Sequence, residues 1–294
     1  MFDLQQYLDS QRRRINAALD QRLPAVTERP SALHQAMRYS VLAPGKRLRP
    51  VLCLAAAETI GRSDDTALTA ALAIEILHTY TLIHDDLPSM DDDALRRGQK
   101  TLHIVAGEAN AILAGDALLT LAFEWLAEVC APPPYPPNQL SLELARAAGS
   151  RGLIGGQVED LAAEGQGANA DTVDYIHRHK TAELILATVR MGGIAAGATP
   201  SELAALSAYG ENLGLAFQIV DDILNETATA AALGKAAGSD RARGKMTFVA
   251  VHGLEAARTR VEQLTREALS ALELLPRASE PLAELARFIS SRGC

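Results

Sequence analysis

Apolar positions run along this chain in long, nearly unbroken stretches and seldom alternate with polar ones. Ala67 to His84 (ALTAALAIEILHTYTLIH) and Ser201 to Leu224 are apolar around most of their circumference, where a surface helix would carry a single stripe. They predict central helices of a large bundle. Leu, Ala, Glu and Arg dominate the remainder and β-branched alternating runs are nearly absent, so helix is favoured over most of the length. The predicted fold is therefore all-α. Its clearest interruption is APPPYPP, Ala131 to Pro137, because proline has no N–H to donate and clashes with the preceding turn. A second predicted loop, Thr227 to Lys245, carries small residues, three glycines and two lysines. No repeat of fixed period appears and composition does not shift at the proline loop, so residues 1–294 are expected to form one domain.

Composition narrows the function. The 294 residues include 28 Lys+Arg and 36 Asp+Glu, a formal charge of −8, and 48% are hydrophobic, which excludes a disordered chain. A net negative chain with no basic stripe argues against nucleic-acid binding. The longest window without a charged residue, Val129 to Leu142, contains five prolines, so no membrane span is expected. The N-terminal MFDLQQYLDSQRRR places Asp3 and polar residues where a signal peptide needs a basic start and an apolar run, which predicts a cytoplasmic location. Cys53, Cys130 and Cys294 are too few and too scattered for a disulfide framework or a zinc site and are expected to be core or terminal thiols.

Chemistry is concentrated in HDDLPSMDDDALRRG, His84 to Gly98, where five aspartates fall within nine residues and two arginines follow. Ionised carboxylates so close repel one another unless cations neutralise them, and hard oxygen ligands suit Mg²⁺, which keeps waters or substrate phosphates in its shell. Asp85 and Asp86 end an apolar helical run, and Pro88 stops an undisturbed helix, leaving Asp91 to curl back beside Asp85. A second acidic pair closes another apolar run in FQIVDDILN, Phe217 to Asn225. On a helix Asp221 and Asn225 share a face, while Asp222 is turned by about 100°. Two such pairs suggest facing walls of one metal-lined cavity. A di-iron carboxylate bundle is the rival, but its paired Glu-x-x-His ligands do not occur.

Basic residues complete the pattern: Lys46, Arg47 and Arg49 in GKRLRP, and Arg96 and Arg97 after the first acidic cluster. Guanidinium forks grip phosphate oxygens in pairs and lysines add point charge. One anionic substrate would need fewer. Magnesium for one diphosphate and a separate metal-free basic pocket for another would use them all.

With GKRLRP, HDDLPSMDDDALRRG, GGQVEDL (Gly155 to Leu161), HKT (His179 to Thr181), FQIVDDILN and LGKAAGSDRARGKMTF (Leu233 to Phe248), the chain resembles the short-chain trans-polyprenyl diphosphate synthases, most closely bacterial farnesyl diphosphate synthases. The motifs run in the family's order from about Leu33 to the C-terminus. The resemblance implies an isoprenoid-synthase-type bundle around a central cavity, usually a homodimer, that condenses isopentenyl diphosphate with allylic diphosphates (dimethylallyl, geranyl) head to tail. It implies three Mg²⁺ per site with substrate bound, held by Asp85 and Asp91 with Asp86 in support and Asp221 opposite. Lys46, Arg49, His78 and Arg97 would hold isopentenyl diphosphate and Arg96 the allylic diphosphate. Lys180, Gln218, Lys235 and Lys245 would complete the allylic side, with Thr181 and the Gln218 amide beside the developing cation.

Two positions depart from the family's pattern. Asn225 stands where an aspartate is usual, keeping a ligating oxygen but losing a charge, and Pro44 stands where glycine usually precedes GKRLRP, which could shift the loop carrying Lys46. Tyr80, five residues before Asp85, is the resemblance's mark of a fifteen-carbon product, so farnesyl diphosphate is expected. Thr81 and Ser89 are smaller, and geranylgeranyl diphosphate is the alternative. A terpene cyclase would not need Lys46, Arg49 and Arg97. A non-catalytic partner subunit should have lost aspartates that remain here. His84 reads as a helix-end cap, Trp125 as core or dimer-interface packing, and the N-terminal helix as a solvated face.

Overall fold

Helix α4 (Asp65–Asp85) is the axis of the molecule, and its sequence explains why. Asp64 caps it by accepting from the Thr66 and Ala67 amides, and fourteen of its 21 residues are buried. Ala70, Ala71 and Ala73 are small enough to let neighbours approach from several sides. The computed structural model describes residues 2–167, 169–227, 244–275, 277 and 279–292. Ahead of α4 come α1 (Leu4–Arg22), α2 (Ser31–Val41) and α3 (Leu48–Ile60). A short antiparallel hairpin follows it, β1 (Leu95–Arg96) on β2 (Gln99–Lys100), then α5 (Leu102–Ala106) and α6 (Glu108–Ala127). Beyond the proline-rich loop are α7 (Gln139–Ala148), α8 (Leu153–Ala163) and α9 (Ala170–Ile176). A π-helical turn, His177–Ala182, leads into α10 (Glu183–Ala195) and the long α11 (Pro200–Thr227). The chain closes with α12 (Phe248–His252), α13 (Leu254–Leu272) and α14 (Glu280–Ser291). The architecture is all-α, as the apolar pattern predicts. The hairpin is too short to alter that class.

The two apolar runs become α4 and α11. Helix α4 packs against α3, α6 and α10, and α11 against α10, the π turn and α13, so the main core lies between α3, α4 and α10. Helix α11 does not stop at the second acidic pair but continues to Thr227. The expectation that no segment approaches a membrane span needs correcting. By length and hydropathy both α4 and α6 qualify. In α4 the qualifying segment is 78% buried inside the protein, whereas in α6 only 39% is covered. Trp125 is core, with the Arg22 guanidinium over its ring. Helix α1 buries Gln11, Ile15 and Leu19 and leaves its other face outward. Cys53 is buried, Cys130 is exposed in a loop rather than core or terminal, and Cys294 lies outside the described residues.

His84 is not a helix-end cap. Its Nε2 lies 3.1 Å from the Ile112 carbonyl, and its ring lies against Gly115 on α6, where any Cβ would collide with it. His84 therefore docks α4 onto α6.

Arg47 also departs from expectation. Its side chain turns into the core, where Nη1 meets Glu75 at 2.7 Å, Nη2 donates to the Val41 and Ala43 carbonyls, and Nε donates to Asn16. A left-handed backbone at Arg47 (φ 53°) makes that turn and sends Lys46 the other way. Arg47 is thus lost to phosphate binding, because its donors are already satisfied. Arg47→Met should leave Glu75 buried without its cation and lower stability by about 3–5 kcal/mol. Urea unfolding measures it; an unchanged midpoint would mean that the pair contributes nothing net.

Candidate active site

Carboxylates line facing walls of a cavity of about 370 Å³ bounded by Asp85, Asp91, Asp221, Asp222, Asn225, Lys180 and Lys245. Asp85 ends α4, and Pro88 lets the chain turn back so that the Asp91 amide donates to the Asp85 carbonyl at 2.8 Å. Burial and the neighbouring Asp91 push the Asp85 carboxyl up, from 3.8 to about 6, against the pull of Lys180 and Arg96. Asp86 points elsewhere. It is buried, does not line the cavity, and is gripped by Arg96 through Nε at 2.8 and 3.0 Å and Nη2 at 2.6 Å. Asp86 and Arg96 thus neutralise one another.

The opposite wall is α11, where Asp221 and Asn225 are one turn apart and both face the cavity. The Asn225 Oδ1 is buried and accepts no hydrogen bond, a state that normally calls for a cation, a water or a ligand donor. Among the described residues no three of His, Cys, Asp or Glu gather closely enough to cage a metal by themselves. That suits Mg²⁺, which takes one or two carboxylates and completes its shell with water and phosphate oxygens. The donor set therefore fits magnesium, which Asp85 and Asp91 on one wall and Asp221 with Asn225 on the other would hold.

Between these walls runs a chain of charges that motif reading only partly named. Asp160 on α8, 5% exposed, meets Lys180 at 2.5 Å and Lys245 at 3.6 Å, and Lys245 reaches Asp91 at 2.9 Å. Asp160 sits inside the GGQVEDL motif, but nothing in its spacing reveals that two lysines converge on it. Lys235 lies outside the described residues.

The cavity continues past Asp85 and Lys180 into a second pocket lined by Arg49, His78, Thr81, Arg97, Gln157, Thr181, Phe217 and Gln218. This side is cationic. Burial lowers the pKa of Lys46, Arg49 and Arg97, and mutual repulsion adds to it, through Arg292 and Arg97 on Lys46 and through Arg47 and Arg96 on Arg97. Such crowding is the mark of a site built for an anion. His78 lies 3.0 Å from Arg49 Nη1, and because arginine only donates, the His78 Nε2 must accept. Burial and the surrounding arginines hold its pKa well below 6.5. His78 therefore stays neutral and orients Arg49, instead of adding a charge. The Arg97 guanidinium donates to the Pro44 carbonyl at 3.3 Å and lies where a Cβ on residue 45 would sit, which accounts for Gly45. Arg292, near the C-terminus, lies 3.5 Å from Asp221 and over the Phe217 ring. No motif signals Arg292, and nothing in FQIVDDILN reveals that its Phe217 ring lies beneath a guanidinium.

Gln218 borders both pockets, and there it meets Thr181, which lines the cationic one. The Thr181 hydroxyl donates to Gln218 Oε1 at 2.6 Å, and Gln218 Nε2 donates to Asp222 at 2.9 Å. The Gln218 carbonyl oxygen is thus turned to Thr181.

The bundle is all-helical and holds carboxylate walls beside a buried cationic pocket. The chain belongs to the polyprenyl synthetase family, whose model matches residues 30–278. It is 44% identical to the heterodimeric geranylgeranyl pyrophosphate synthase large subunit 1, chloroplastic, of Arabidopsis thaliana, over 99% of this chain and 80% of that protein. Its structure is similar to geranylgeranyl pyrophosphate synthetase from Pyrococcus horikoshii, with a TM-score of 0.87, 30% identity and 98% of each chain covered. It is also similar to a Helicobacter pylori geranyltransferase complexed with magnesium and isoprenyl diphosphate, with a TM-score of 0.82, 33% identity, and 99% of this chain and 97% of that one covered. The protein is accordingly a trans-prenyltransferase by family.

Proposed function

We propose that the protein condenses isopentenyl diphosphate with dimethylallyl and geranyl diphosphates and that farnesyl diphosphate is its terminal product. One observation carries the reaction type: Asp85 and Lys180 border both a carboxylate-lined pocket and a cationic one. Magnesium, three ions with substrate bound as in the resemblance, would be held by Asp85, Asp91, Asp221 and Asn225 and would draw off charge from the leaving diphosphate. Lys180 and Lys245 stand on the same side and stabilise that diphosphate as the allylic C–O bond breaks. Arg49, Arg97, Lys46 and Arg292 bind the second diphosphate and orient the isopentenyl double bond toward the cation. Thr181 supplies a dipole beside Gln218. The double bond's electron pair forms the new C–C bond, and loss of a proton to the departed diphosphate restores an allylic diphosphate five carbons longer.

Incubation of the purified protein with Mg²⁺, isopentenyl diphosphate and each allylic starter, followed by chromatography of the dephosphorylated products, tests this reading. Farnesol is the expected end product. No elongation with any starter would refute it.

Tyr80 supports the fifteen-carbon limit through its bulk one turn below Asp85. It is buried and packs edge-on against His84, while Thr81 lines the cationic pocket. The geranylgeranyl names of similar proteins favour the longer product as the second reading. Tyr80→Ala should shift the product from farnesol to geranylgeraniol or longer, and an unchanged length would remove Tyr80 as the floor.

A homodimer belongs to the same proposal. Helix α6 is apolar yet poorly covered, and Ile104, Val105, Ile112 and Leu113 lie exposed along α5 and α6. A second copy would bury that face. Leu113→Asp should convert the dimer to monomer in sedimentation, and an unaltered mass would place the interface elsewhere.

A further inference from the structure

Asp222 is the second carboxylate of the FQIVDDILN pair; it borders the cavity beside Asp221 but is only 4% exposed, and its oxygens are taken up by donors of the protein. It receives three donors. Oδ2 accepts the Phe248 amide at 2.7 Å and lies 3.1 Å from His177 Nε2, and Oδ1 accepts Gln218 Nε2 at 2.9 Å. His177 and Thr181 are four residues apart on the π turn, and Gln218 and Asp222 are four apart on α11. The two pairs are cross-bonded, His177 to Asp222 and Thr181 to Gln218.

The order of these bonds has only one consistent direction. A carboxylate accepts and does not donate, so the end of Gln218 that meets Asp222 must be its NH₂ group. Its carbonyl then faces Thr181, and the Thr181 hydroxyl must donate to it. With its proton committed, the Thr181 oxygen has only lone pairs left to present to the pocket that Thr181 lines, beside Gln218, which borders both. Lone pairs stabilise a cation; an O–H directed there would oppose it. A free hydroxyl rotor would sample both orientations.

The geometry points to His177 and Asp222 as positioning residues that set the polarity of Thr181 through Gln218. The inference rests on the prenyltransfer reading, since it needs a cation at Thr181. Asp222 touches no reacting atom in this scheme. It acts by fixing which end of an amide, and hence which end of a hydroxyl, looks into the cavity. His177 and the Phe248 amide in turn hold the carboxylate so that Oδ1 stays aimed at Gln218.

Substituting Asp222→Asn introduces an amide that can meet its Phe248 and His177 donors with oxygen only by offering NH₂ to Gln218. Gln218 must then turn its carbonyl toward position 222 and its NH₂ toward Thr181, releasing the hydroxyl proton to the cavity. The expected result is a fall in kcat of about tenfold with the KM of both substrates within about twofold. Thr181→Val should cost a similar factor, and the Asp222→Asn, Thr181→Val pair should be no worse than Asp222→Asn alone. The exchange Asp222→Asn with Gln218→Glu keeps one carboxylate in the chain and lets it accept from both the introduced amide and Thr181. It should restore kcat to within about threefold of the parent.

A second readout needs no turnover. With Mg²⁺ present, the affinity of an allylic diphosphate analogue carrying an ammonium nitrogen at the cationic carbon, divided by that of its neutral carbon isostere, reports the polarity directly. That ratio should fall about tenfold in Asp222→Asn and recover in the exchange variant. Additive losses in the pair, an exchange variant no better than Asp222→Asn, or an unchanged affinity ratio would each overturn the inference. If Asp222→Asn alone does not fold, the exchange variant against its own Thr181→Val derivative decides: a loss of about tenfold in the ratio supports the relay and no loss refutes it. Absence of condensation by the parent protein would refute the function instead, and the affinity ratios would still test the relay.

Discussion

Asp85→Asn should make the magnesium-free protein more stable and the enzyme nearly inactive. In the free protein burial and Asp91 raise the Asp85 carboxyl from 3.8 to about 6. Between those values the folded protein holds the proton more tightly than the unfolded chain. Stability therefore falls as pH rises through that window, and the penalty is complete above pH 6. Removing it at pH 7.5 should stabilise by about 2–3 kcal/mol, or roughly 5 °C in Tm. The same substitution removes a carboxylate from the wall that faces the leaving diphosphate, and kcat should fall about a thousandfold. In the parent enzyme, protons compete for Asp85 below about pH 6, so the Mg²⁺ concentration needed for half activity should rise as pH falls past that point. Thermal unfolding with and without Mg²⁺, together with steady-state kinetics, measures each part. A variant destabilised in the absence of metal would show that the strain attributed to Asp85 does not exist.

Asp160→Ala is expected to be nearly as damaging, for the opposite reason. Asp160 holds Lys180 at 2.5 Å and stands 3.6 Å from Lys245, whose ammonium also reaches Asp91. Without it two partly buried ammonium groups lose their shared anion, which costs stability by about 3–5 kcal/mol if neither relaxes into solvent. Both would also leave the side of the cavity where the departing diphosphate needs them. A loss of about a hundredfold in kcat/KM follows from misplacing both charges. Asp160→Asn retains an acceptor of the same shape and should fall between. Parent-like kcat/KM in Asp160→Ala would remove Asp160 from the site.

Local chemistry was readable along the chain wherever it obeys a period or a backbone rule. The apolar circumference of Ala67 to His84 required a central helix. The proline run required a loop, and Pro88 required the turn that carries Asp91 back to Asp85. The separation of Asp221 from Asp222 also follows from helical geometry alone. Motif resemblance then added the grouping of Arg49, His78 and Arg97, which line one pocket.

What a side chain does once it arrives was decided by its neighbours in three dimensions. Arg47 and Arg49 look equivalent in GKRLRP. The left-handed turn at Arg47 sends one to Glu75 in the core and leaves the other at the pocket with His78. Asp85 and Asp86 are adjacent, but a helix turns them apart, so one lines the cavity and the other is clamped by Arg96. Asp160 and Phe217 sit inside motifs and Arg292 outside them, but the partners of all three are hidden until α8, α11 and the C-terminal end of the chain converge. Periodicity determined the helices and which residues share a face, because those depend on bonds within a few residues. Charge state, hydrogen-bond direction and partner identity depend on groups up to 154 residues away, as Lys245 on Asp91 shows, and only the tertiary structure brings those together.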